Sequence, residues 1–275
     1  MPQHFVNLPG AATLPTRQYQ LTGQIIDDLI AESATGVVHG PAGTGKTYAV
    51  QAALERLRDA ATPGPAGAQV SVCTLAFPAK PTMRLVADAL LTALTGAAPP
   101  RSRNRFQLIS ALTDLLSGPR RVVVIDEAQR LNGDCIELLR HLHDHPHTRF
   151  ALLYVGGDGC WEVLSREPML ASRVFRRLPF TRLDRPAVPA LMRRYHRVYD
   201  GVDDTLLLEI EDAYGKGMLR NWAVFTHAAV SLCGTAGIER ITAEVAGNVY
   251  AKLGGGIRPA RPARTAGVRG GQRRG

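Results

Sequence analysis

Apolar residues recur at helical spacing through Leu21, Ile25, Ile26, Leu29 and Ile30, which predicts an amphipathic helix over Arg17 to Ser33. The next run, Thr35-Gly36-Val37-Val38-His39, is short and free of charge, the pattern of a buried strand. Helical spacing returns with Val50, Ala53, Leu54 and Leu57, marking the apolar side of a helix from Tyr48 to Ala60. A breaker-rich loop over Thr62 to Gly67 leads to a second β-like run, Gln69 to Leu75. Met83 to Leu94 and Phe106 to Leu116 read as helices. Val122, Val123, Val124 and Ile125 are four β-branched residues in succession, describing a central strand covered on both faces, and Phe150 to Val155 is another. Trp161 to Arg177 reads as a helix broken near Pro168, followed by a last short strand over Leu178 to Leu183.

Strands alternating with helices imply an α/β fold with a doubly wound parallel sheet. From Asp184 the character changes. Asp184 to Tyr199, Asp203 to Tyr214, Met218 to Leu232 and Ile241 to Leu253 all carry helical patterns, so a small all-α domain is expected after the sheet. The expected division is an N-terminal loop segment over 1–16, an α/β domain over 17–183, a helical domain over 184–254 and a tail over 255–275.

Composition changes this picture in two places. The formal charge of +9 is unevenly spread, because the last twenty residues contain six arginines and no acid. A Gly/Pro/Ala/Arg tail cannot bury a core, so it reads either as a non-specific binder of phosphate backbones or as a solubilising terminus. Cys73, Cys135, Cys160 and Cys233 lack paired spacing and read as reduced thiols. With no apolar run near ~18 residues and no leader-like start, neither a membrane span nor secretion is expected, and the assignment is cytoplasmic.

The densest chemistry lies at Gly40-Pro41-Ala42-Gly43-Thr44-Gly45-Lys46-Thr47, which fits G-x-x-x-x-G-K-T in full between a strand and a helix. Glycines let successive N–H groups turn inward around a polyphosphate, and the helix start adds partial positive charge. In such a loop Lys46 reaches the β/γ-phosphates and the Thr47 hydroxyl ligates Mg²⁺, so the pattern implies that ATP or a similar triphosphate is bound. Asp126 and Glu127 fall at the carboxyl end of a central strand, where open parallel sheets place ligands. Beside a phosphate loop, Asp126 is expected to hold Mg²⁺ and Glu127 to orient the attacking water. His141, His143, His145 and His147 read as a solvated helix end, although His141 and His145 could share a face toward a metal. Trp161 and Trp222 read as core.

Together these motifs resemble the AAA+ ATPases. The phosphate loop, "VVVIDEAQRL" (Val122 to Leu131) and "LLYVGGDGCWEVL" (Leu152 to Leu164) look most like transposon target-selection ATPases of the TniB/TnsC and phage Mu B kind, with the related ExeA-like ATPases. The resemblance covers about residues 15–250. It implies a phosphate-loop sheet followed by a helical lid, and a protein that oligomerises on duplex DNA as a ring or helix in its ATP state, delivering target DNA to a transposase at the nucleoid. It also makes Arg173 the match to an arginine finger, with Arg176 and Arg177 as rivals, and Arg220 the match to the lid arginine that meets the γ-phosphate. Lys80, Arg84, Arg101, Arg103 and Arg105 lie where DNA-wrapping relatives contact backbone, and Arg258, Arg261 and Arg264 extend that basic set into the tail; an ordinary charged surface is the other reading. One departure stands out. Gly156-Gly157 occupy the place where relatives offer a polar side chain, with Asp158 next, and slow, switch-like hydrolysis is the expectation. The rival readings are an ExeA-like secretion ATPase, a helicase loader, an origin-binding protein, or an NTPase switch with protein partners only.

Overall fold

The computed structural model describes residues 8–59, 70–77, 80–98 and 104–254. The loop over Thr62 to Gly67, Ala60, Gln69, Arg101, Arg103 and the basic tail fall outside the described residues. Five strands, β1 (Thr35–His39), β2 (Ser71–Ala76), β3 (Arg121–Asp126), β4 (Phe150–Gly156) and β5 (Val174–Pro179), form one sheet in the order β2-β3-β4-β1-β5. Every pairing is parallel. The doubly wound parallel sheet expected from the alternating pattern is therefore present.

Side chains alternate across the sheet, and each face builds its own core. Val38, Val122, Val124, Leu153 and Val155 pack under α1 (Arg17–Glu32) and α2 (Lys46–Asp59). Val37, Val123, Ile125, Leu152 and Tyr154 pack under α3 (Met83–Thr95), α4 (Arg105–Leu116) and α5 (Gly133–Asp144). The starts of α1, α3, α4 and α5 are fixed by short polar side chains: Thr16, Thr82, Asn104 and Asn132 each accept a backbone N–H of the first turn.

The stretch after β4 differs from the sequence pattern. Instead of one broken helix, Trp161 to Arg177 contains α6 (Cys160–Leu164), α7 (Pro168–Ala171) and the first part of β5. The last strand thus begins at Val174 rather than Leu178. The reason is tertiary: β1 would otherwise leave one row of buried backbone groups unpaired, and Val174 to Pro179 supplies it, with His39 carbonyl accepting from Phe180 N–H at 2.7 Å. As an outer strand with half-buried and exposed positions alternating, β5 carries no apolar run to announce it.

Beyond β5, α8 (Val188–Tyr195), α9 (Asp204–Ile210), α10 (Leu219–Ala236) and α11 (Ala243–Lys252) gather around Trp222, Phe225 and Tyr199 in a separate core. Residues 8–16 do not hang free of it: Leu14 belongs to this core and Ala12 N–H donates to Tyr195 carbonyl at 2.7 Å. The junction of α9 and α10 is a π-helical turn, Glu211–Gly215, where the buried Glu211 carboxylate accepts from Trp222 Nε1 at 2.7 Å. That bond fixes where α10 begins. Trp222→Phe should lower the unfolding free energy by about 2–3 kcal/mol, because a buried charge loses its donor, whereas E211Q, which keeps an acceptor, should cost about 1 kcal/mol or less. Denaturant titration measures both; equal losses would assign the effect to packing.

Candidate functional site

Because β1, β3 and β4 run parallel and adjacent, the turns that follow them emerge at one edge of the sheet. After β1 comes the Gly40–Thr47 loop. Gly40 has φ +138°, and a Cβ there would lie 2.2 Å from Phe180 carbonyl oxygen, so backbone packs on backbone. Gly43 has φ +80°, with Arg220 Cβ 3.1 Å from where its own Cβ would be. Lys46 is buried, and its ammonium donates to the carbonyls of Gly40 and Pro41, both at 2.7 Å. Thr44 hydroxyl donates to Pro41 carbonyl at 2.9 Å. The lysine thus ties the loop into a closed curve and is held at its centre.

Burial lowers the Lys46 pKa, opposed by Asp158 and then Glu127, while Arg220 reinforces the lowering and Asp126 opposes it. All four charged groups therefore stand within electrostatic reach of one ammonium. Thr47 and Asp126 also line one cavity of about 220 Å³, much of whose wall is α2 side chains from Val50 to Arg58; Lys46 does not line it. An inward loop, a buried cation and paired oxygen donors fit a magnesium-bound polyphosphate: Lys46 would meet phosphate oxygens, and Thr47 and Asp126 would hold the ion.

Asp126 Oδ1 accepts the N–H of Glu127 at 2.8 Å. Glu127 itself sits at φ +56°, a left-handed conformation uncommon for such a residue. Its Oε2 accepts from Gln129 Nε2 at 2.6 Å and pairs with Arg130 Nε at 3.3 Å. Arg130 reaches on to Phe77 carbonyl at the end of β2. Gln129 and Arg130 escaped the sequence reading, although both lie inside the "DEAQR" string that located the acids.

From the helical domain, Arg220 N–H donates to Gly43 carbonyl at 3.0 Å, placing the first turn of α10 directly on the phosphate loop. Arg173 lies elsewhere. It precedes β5 at the opposite end of that strand, about 20 Å from the phosphate-loop edge by strand rise. There it pairs with Asp144 at 2.9 Å. Arg176 pairs with Asp28 of α1 at 3.0 Å, and Arg177 stacks on the half-buried Trp161 ring at 4.6 Å; burial lowers the pKa of His39, and the Arg177 charge adds to the lowering. Trp161 is therefore a platform at the core's margin rather than core, while Trp222 is fully buried.

Lys80, Arg84 and Arg105 are exposed at or near the starts of α3 and α4, with Arg84 paired to Asp88 at 2.7 Å. His141, His145 and His147 border a separate cavity of about 620 Å³ against α4, and His143 turns inward onto Phe150. Among the described residues no helix is long and apolar enough to cross a membrane.

The five-stranded parallel sheet with flanking helices, followed by C-terminal helices, matches the architecture of the AAA+ ATPases. Residues 31–164 match the family model AAA_22, an AAA domain. No curated protein matches the sequence. Among solved structures, the fold is similar to the Aeropyrum pernix ORC2 protein in ADPNP-ADP complexes, with TM-score 0.67 and 17% identity over 91% of this chain and 71% of that one. It is also similar to the Aeropyrum pernix ORC1 protein in complex with DNA (TM-score 0.62, 16%, 90% and 68%). The RuvB Holliday junction branch migration motor of Thermotoga maritima matches at TM-score 0.54 with 15% identity over 87% and 70%.

Two substitutions probe this geometry. K46A removes the central cation, so binding of a fluorescent ATP analogue should fall by at least about 100-fold; retained affinity would remove the loop from the site. Burial raises the Asp126 pKa, so its ionised form costs stability at neutral pH, and that cost disappears as pH falls through the folded pKa. D126N should therefore raise the melting temperature of nucleotide-free protein by roughly 2–4 °C at pH 7 and by nothing in acid. A lowered melting temperature at pH 7 would contradict that reading.

Proposed function

We propose that this chain is an ATPase that assembles on duplex DNA in its ATP-bound state and delivers target DNA to a transposase. The observation that carries the nucleotide part is the Arg220–Gly43 backbone bond, which couples lid position to the phosphate loop. Lys46 and the loop N–H groups would hold the triphosphate, with Thr47 and Asp126 on Mg²⁺. Glu127 would orient the attacking water, and Arg220 would meet the γ-phosphate from the lid. Arg173 would act on a neighbouring copy, because its own loop lies at the other end of β5. The DNA part is supported by the exposed Lys80, Arg84 and Arg105, the arginine-rich tail and the fold similarity to a protein solved with DNA. The transposase part is supported by the likeness of "VVVIDEAQRL" and the segment after it to target-selection ATPases.

A second reading, an origin-binding protein, is favoured by the similarity to ORC proteins. Genome-wide crosslinking separates the two. Occupancy at one or a few fixed loci supports origin binding, and dispersed occupancy with transposase co-purification supports target delivery.

For the assembly itself, DNA affinity with a non-hydrolysable ATP analogue should exceed that with ADP by about 10-fold or more, and equal affinities would defeat an ATP-dependent clamp. R173A should lower turnover by about 10³-fold while leaving nucleotide affinity within a few-fold. Mixing R173A with K46A should restore part of the activity, since some interfaces then pair an intact loop with an intact arginine. A mixture as inactive as its components would remove the shared site.

A further inference from the structure

β4 ends at Gly156 and Gly157 follows it, so neither position sends a side chain toward the phosphate-loop edge. A polar side chain stands there nevertheless, and Gln129 supplies it. Its Oε1 accepts the N–H of Gly157 at 2.9 Å, and its Nε2 donates to Glu127 Oε2 at 2.6 Å. The orientation of the amide follows from its partners: a backbone N–H only donates and a carboxylate only accepts. The glycines are part of the same arrangement. A Cβ on Gly156 would fall 2.4 Å from Cys160 Sγ and 2.6 Å from Gln129 Oε1, and one on Gly157 would fall 3.4 Å from Gln129 Nε2. A side chain projecting from position 156 would thus meet both the Cys160 side chain and the amide.

We infer that Gln129 is a positioning residue for the Glu127 carboxylate, tethering it to the end of β4 so that it faces the attacking water in a fixed orientation. The inference rests on the role proposed above for Glu127. The tether is a charge-assisted hydrogen bond on one side and a backbone bond on the other, so both ends resist rotation of the glutamate. Arg130, at 3.3 Å, braces the same oxygen and is itself held by Phe77 carbonyl. The absence of a polar residue at the end of β4 therefore does not leave the acid unsupported; support comes from the turn that follows β3.

The test uses the full-length protein with and without MgATP. Q129A should lower kcat by about 10- to 100-fold with KM and nucleotide affinity within about threefold, the split expected when orientation rather than binding is lost. In nucleotide-free Q129A, the Gly157 amide should exchange with solvent about 10-fold faster or more. A Q129A enzyme with kcat within threefold of wild type, or faster than wild type, overturns the inference, as does unchanged exchange at Gly157. E127Q separates the layers. If it still turns over, Glu127 leaves the reaction and both readings fall; if it is inactive while Q129A is normal, only the role of Gln129 falls.

Discussion

Parallel pairing of three neighbouring strands is the constraint behind everything at the candidate site. Neighbouring strands lie about 4.8 Å apart, so β1 and β3, separated only by β4, bring their ends within about 10 Å of each other. The loop after β1 carries Lys46, the turn after β3 carries Asp126 and Glu127, and the turn after β4 carries Asp158. No long connection has to fold back to assemble these groups. Their meeting is a consequence of strand direction, and the two apolar cores above and below the sheet hold that direction fixed.

Gathering charge at one edge has a cost that the structure distributes. Lys46 and Asp126 are both shifted toward their neutral forms by burial, and each is offset by groups nearby: loop carbonyls and acids for the lysine, the Glu127 N–H for the aspartate. A triphosphate with its metal would supply opposite charges to both. The helical domain joins this balance through backbone rather than side chain. Arg220 N–H is already bonded to Gly43, so the arginine is brought to the loop by the helix start and its side chain stays exposed.

Much of this was legible in the sequence for identifiable reasons. The phosphate loop and Asp126-Glu127 were visible because each follows a strand with an apolar, β-branched centre, Val37-Val38 and Val122 to Ile125, buried on both faces. β5 was not visible, because an outer strand alternates half-buried with exposed positions and its Phe-Arg-Arg segment is equally consistent with the end of a helix. Arg176 and Arg177 consequently moved from a helix end onto a strand, one toward α1 and the other onto Trp161. Gln129 was hidden for another reason. Its partners are Glu127, two positions away, and a backbone N–H 28 positions away; only the fold reveals the second. Gly156-Gly157 read as a gap at the site, when Cys160 and Gln129 pack into the space beside them.

The arrangement also separates what one chain can do from what two can. Phosphate loop, acids and Arg220 share one edge, so in the proposed roles a single copy would hold a nucleotide and orient water. Arg173 is fixed at the far edge by Asp144, which Arg140 also engages at 2.5 Å on α5. A rigid five-stranded sheet cannot bend about 20 Å of strand back on itself, so no lid movement would carry this arginine to its own loop. Exposed Met169 and Phe175 flank it, giving that edge apolar surface as well as charge. If Arg173 takes part in turnover, a second copy must present its phosphate-loop edge there, and the ion pair with Asp144 must open or be shared. Nucleotide turnover would then be tied to assembly by the length of one strand.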